Sequence, residues 1–114
     1  MSEIYVFSLK MKKIVENWKY WVEKIAATAK EVLGDCEIYV FGSVAEGTWT
    51  GGSDVDILIV CSKRIKSNKE RGELKALIEE KACLPLFHPF EIHLVSKKEA
   101  KWYWRHIKKY IKVD

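Results

Sequence analysis

The sequence predicts a small two-layer domain of the α/β or α+β class, a mixed sheet backed by helices. Two observations carry this. Stretches with apolar residues at three- and four-residue steps are interleaved with short apolar or β-branched runs, in the order helix, strand, strand, helix, strand, helix. The 114 residues, 48% hydrophobic and 32% charged, suffice for one modest core but not two, so residues 1–114 read as a single domain.

The elements follow in order. Leu9, Ile14, Trp18, Trp21, Val22, Ile25, Ala29, Val32 and Leu33 mark one long amphipathic helix over residues 9–33, with Gly34 as its stop. Residues 37–41 ("EIYVF") and 55–60 ("VDILIV") read as buried strands. Ser67 and Glu70 form a capping box that opens a helix through Leu74, Leu77 and Ile78, ending near Ala82 before Pro85. Residues 90–95 ("FEIHLV") make a third strand. Ser96 and Glu99 form a second box, opening a last helix with Ala100, Trp104, Ile107 and Ile111 on one face. Neither a repeat nor a linker interrupts the chain.

Composition removes several classes. A net charge of +4 permits contact with phosphates but does not by itself predict a nucleic-acid surface. Cys36, Cys61 and Cys83 are odd in number and lack CxxC spacing, which argues against a zinc knuckle or a disulfide framework. Reduced thiols in a cytoplasmic protein are the expectation. The first residues place their basic side chains after the apolar ones, the wrong order for a signal peptide. No run approaches the roughly 20 apolar residues of a membrane span.

One stretch reads unlike ordinary structure: "VFGSVAEGTWTGGSDVDILIV", residues 40–60. Asp54 and Asp56, two apart on a strand, would leave one face about 6.6 Å apart along the chain. Such a pair repels unless a cation lies between, and hard oxygen ligands of this kind suit magnesium, usually held by one or two carboxylates plus substrate phosphates. Gly42 and Ser43 supply the complementary half, since a glycine turn frees backbone amides and a hydroxyl to hold phosphate oxygens. Gly51 and Gly52 let the chain approach a ligand closely, and Ser53 beside them joins the nucleotide-binding candidates.

Gly-Ser at a strand end, the ten residues 44–53, then Asp-Val-Asp on the next strand resembles the nucleotidyltransferase superfamily that includes DNA polymerase beta, CCA-adding enzymes and kanamycin nucleotidyltransferase. The closer likeness is to the minimal nucleotidyltransferases, and it covers nearly the whole chain. That resemblance implies the nucleotidyltransferase fold and a third carboxylate on a later strand, where Glu91 of "PFEIHLV" stands. It implies two Mg2+ ions on Asp54, Asp56 and Glu91, with Gly42 and Ser43 on the β- and γ-phosphates of a nucleoside triphosphate, ATP by family habit. Many minimal members carry arginine where this chain has Glu46, which leaves open the cation that balances the triphosphate.

The resemblance further implies a protein partner of the HEPN type, adenylylated by this chain as the antitoxin of a toxin–antitoxin pair. A competing reading is a catalytically weak or inactive subunit that inhibits its partner by contact alone. His93 shares a strand face with Glu91, and with no zinc-ligand spacing around it reads as structural support for the site rather than as a ligand. Lys63, Arg64, Lys66, Lys69 and Arg71 read as a solvated loop and helix start. Trp102, Tyr103 and Trp104 point about 100° apart on a helix, as do Tyr20 and Trp21. Some aromatic area must therefore face outward, which points to a homodimer or a complex with a second protein.

Overall fold

Three strands buried through their centres organise the molecule. In a computed structural model that describes residues 2–113, nine elements follow in order: α1 (Glu3–Glu16), α2 (Trp18–Leu33), β1 (Cys36–Phe41), α3 (Ser43–Glu46), β2 (Val55–Cys61), α4 (Asn68–Lys81), β3 (Phe90–Ser96), α5 (Lys97–His106) and β4 (Tyr110–Val113). The sheet order is β3-β2-β1-β4. β1 runs antiparallel to both its neighbours, while β2 and β3 are parallel and joined through α4. The α+β class with a mixed, helix-backed sheet is thus as expected.

Ile38, Val40, Val55, Ile57, Ile59, Ile92 and Leu94 face one side and pack with Val22, Ile25, Ala29 and Ile78 of α2 and α4. Tyr39, Leu58 and Val95 face the other side and meet Ala100 of α5. The sheet is therefore covered on both faces, a third layer beyond the two expected. Helix α5 covers only part of its face, and the uncovered end is where polar residues of β2 and β3 gather. Ile57 is fully buried at the centre of the larger core. Ile57→Ala should cost about 3 kcal/mol in a denaturant titration, from lost burial plus a cavity that cannot collapse; a loss below about 1 kcal/mol would contradict this packing.

Four boundaries differ from expectation. The first helix begins at Glu3, six residues before Leu9. The long first helix is two helices: Asn17 leaves helical geometry (φ −100°, ψ 28°) and its amide closes α1 on the carbonyls of Lys13 and Ile14. The apolar repeat runs through this break unaltered, so periodicity alone carries no sign of it. Asp54 lies outside β2, whose ladder begins where the Val55 amide donates to Pro89 O at 2.8 Å. The last helix stops at His106 and the chain turns back as β4, so Ile111 pairs with Val40 across the sheet instead of extending α5.

Both serine caps form. Ser67 accepts from the Glu70 amide, and at Ser96 and Glu99 the bond is reciprocal. Arg71 is no solvated cation: it donates to Leu94 O and grips both Glu99 carboxylate oxygens at 3.2 and 2.8 Å, tying α4 to α5 across the edge of β3. The Ser96 amide, together with this guanidinium, holds the Glu99 carboxyl below its usual range.

Candidate active site

The end of β1 and the starts of β2 and β3 lie side by side, because Phe41 pairs with Asp56 and Asp56 with Glu91. Asp56, Glu91 and His93 point off the same sheet face. One ligand atom from each falls within a group whose members lie within 4.8 Å of one another. His93 Nε2 is 3.6 Å from Glu91 Oε1 and 3.9 Å from Asp56 Oδ1. Two carboxylates and an imidazole converging on one point are a donor set that a divalent cation fits.

Gly42 closes this site from behind. Its φ of 75° belongs to the left-handed region, and a Cβ added there would overlap the Asp56 carboxylate. The glycine at the strand end is required first by the aspartate it faces. From Gly42 the chain enters the single turn α3, which places Ser43 at its first position and Glu46, exposed, at its last. Trp49 reaches back to pack on the main core and anchors the loop that follows.

Asp56, Glu91, His93, Gly42 and Glu46 line one cleft of ≈ 390 Å³, completed by Trp102, His106 and Lys108 from α5 and the turn after it. From the sequence Lys108 reads as one more solvated cation of the last helix; because α5 stops at His106, it lines the cleft instead. The alternation of Tyr110-Ile111-Lys112-Val113 is the signal that could have revealed β4 and, with it, Lys108 beside the end of β1. A larger hollow of ≈ 500 Å³ lies between α1 and residues 51–54, lined by Tyr5, Phe7, Leu9 and Pro89. Its walls are mainly apolar, so the chemistry belongs to the smaller cleft, where the carboxylates meet.

Of the residues expected to act together, Asp56 and Glu91 are brought together and Gly42 lies against them. Asp54 is exposed and borders the larger hollow rather than the carboxylate group. Ser53 is engaged locally: its Oγ accepts from the Thr50 amide at 2.8 Å and its own amide donates to Thr50 O. His93, by contrast, stands inside the group.

A mixed sheet, a glycine turn at the end of one strand and carboxylates at the start of the next two fit a nucleotidyl-transferring enzyme. The nucleotidyltransferase domain family matches residues 22–113, and the chain belongs to that family. A crystal structure of a candidate nucleotidyltransferase is similar at 37% identity and a TM-score of 0.63, over 79% of this chain and 94% of that one. A second, from Sulfolobus solfataricus, shares the fold at a TM-score of 0.61 with 16% identity, over 92% of this chain and 84% of that one. No curated protein matches the sequence.

Proposed function

We propose that the chain transfers AMP from ATP to a hydroxyl of a protein partner. The observation that carries this is the convergence of Asp56 and Glu91 beside the Gly42 turn in a chain of this family. The acceptor oxygen attacks the α-phosphorus, a new O–P bond forms, the bond to the bridging oxygen breaks, and pyrophosphate leaves. Asp56 or Glu91 takes the hydroxyl proton. Asp56 and Glu91, with Asp54 turning in from the loop before β2, would hold two Mg2+ ions, which would neutralise charge on the attacking and leaving oxygens. The amides at Gly42 and the Ser43 hydroxyl hold the β- and γ-phosphates, with Ser53 shaping the neighbouring loop.

Lys108 answers the question raised by Glu46, since it brings a cation into the same cleft. Lys108→Ala should weaken Mg-ATP by about 1.5 kcal/mol, roughly tenfold, and less at high salt. Unchanged affinity by calorimetry would remove Lys108 from the phosphate site.

A protein partner is supported by outward aromatic surface, while the HEPN type and the antitoxin role rest on the resemblance to minimal nucleotidyltransferases. Tyr20 is 58% exposed and Trp102 59%, and α1 presents Ile4, Tyr5 and Phe7. A homodimer would use the same surface, and light scattering with and without a HEPN-type protein separates the two. Among the described residues no helix is long and apolar enough to cross a membrane; the three free cysteines accord with a cytoplasmic setting.

The alternative is a binding subunit without activity, favoured by Glu46, which adds a further carboxylate to the cleft. ATP labelled at the α-phosphate decides. Label should move to the partner protein with Mg2+ present, while γ-label should not. A stable complex that acquires no label would establish the binding reading instead.

A further inference from the structure

We propose that His93 is itself a metal ligand, and that its nitrogen turns the Asp56–Glu91 site toward a first-row transition ion in preference to magnesium. This rests on the metal-dependent reading of the same site.

Three observations carry it. The ring is held on its far side, where Nδ1 and the Tyr103 hydroxyl are 3.1 Å apart. Phe41 and Tyr103 pack against it, each with its ring centroid 5.4 Å away. A hydrogen-bonded Nδ1 with packed ring faces is how proteins orient an imidazole whose other nitrogen binds a metal. That other nitrogen points at the carboxylates without bonding them, since 3.6 and 3.9 Å are too long for hydrogen bonds. Ligands at about 2.1 Å in octahedral geometry stand roughly 3 Å apart when adjacent and about 4.2 Å when opposite. At 3.6 and 3.9 Å from the two oxygens, Nε2 stands wider than an adjacent ligand, so the two carboxylates would draw in by less than about 1 Å to close on an ion.

Tyr103 is a positioning residue here. It comes from α5, the helix that covers the rest of this sheet face, so the docking of α5 sets the direction of Nε2. Carboxylates alone suit magnesium, whereas an imidazole nitrogen favours first-row transition ions, zinc and nickel most and manganese least, and adds little for magnesium.

The test uses the full chain with Mn2+ alone as probe, and with Mg2+ for comparison. Pulsed electron paramagnetic resonance of bound Mn2+ should show modulation from one directly bound 14N, a readout that needs no variant and no turnover. His93→Gln should abolish it and weaken Mn2+ about tenfold or more, while Mg2+ changes less than threefold. Tyr103→Phe should keep the modulation but lower Mn2+ affinity by about tenfold. Nitrogen modulation absent from the wild type, or surviving in His93→Gln, overturns the assignment. So does equal weakening of both metals. In each of those cases, loss of Mn2+ in Asp56→Asn leaves the carboxylate site standing. If Asp56→Asn still binds Mn2+ normally, the site and the inference fall together.

Discussion

Asp56→Asn should lower nucleotidyl transfer by about a thousandfold or more, roughly 4 kcal/mol of transition-state stabilisation. It removes the carboxylate that faces both Glu91 and His93. Glu91→Gln should follow closely, at about a hundredfold or more. Asp54→Asn should cost less than Asp56→Asn in metal affinity, because Asp54 sits in the loop before β2 and outside the group. The fold should survive each change. Without metal, Asp56→Asn should melt no lower than wild type, since it relieves repulsion with Glu91. Calorimetric titration of Mg-ATP beside the labelled-transfer assay measures all of this. Unaltered Mg-ATP affinity in Asp56→Asn would sink the site, and a larger loss in Asp54→Asn would place the metals on the other side of the loop.

Gly42→Ala should be the most damaging change at a position with no functional group. Two costs combine: a Cβ at φ 75°, and overlap of that Cβ with the Asp56 carboxylate. Gly47 provides the control, having φ 77° and open space where its Cβ would go. Gly47→Ala should therefore lose about 1 kcal/mol of stability and keep its activity. Gly42→Ala should lose about 2 kcal/mol and, with Asp56 displaced, at least a hundredfold in activity. Ser43→Ala should do less, about 1 kcal/mol in nucleotide binding for one hydrogen bond. Thermal melts and transfer rates of the three variants decide. Equal losses at Gly42 and Gly47 would reduce the glycine at the strand end to a turn residue.

What the sequence determined by itself is whatever depends on local pattern. Side chains alternate between the two faces of a strand, so Asp56 falls on one face of β2, and Glu91 with His93 on one face of β3, whatever the packing. Serine followed three residues later by glutamate marks a helix start through bonds made within one turn, and α4 and α5 begin where that spacing says. Gly42-Ser43, followed after ten intervening residues by Asp-Val-Asp, was enough to point to the family.

Tertiary structure decided the rest, for physical reasons. Strand β4 exists because β1 has a free edge for it to pair with, and Ile111 answers to Val40 rather than to α5. The alternation of residues 110–113 permits a strand, but only that edge gives it a partner. The break at Asn17 preserves the apolar repeat on both sides, so periodicity cannot register it. Asp54 falls outside β2 because the ladder ends at the Val55–Pro89 bond, a contact between residues 34 apart in sequence. His93 passes from bystander to member of the site only when Tyr103, ten residues away on another element, fixes its ring. Arg71 belongs to the scaffold because Glu99 and Leu94 O converge on it from α5 and β3. Which groups meet across elements is set by how the layers dock, and docking minimises exposed apolar area over the whole chain, a sum that no short window of sequence contains.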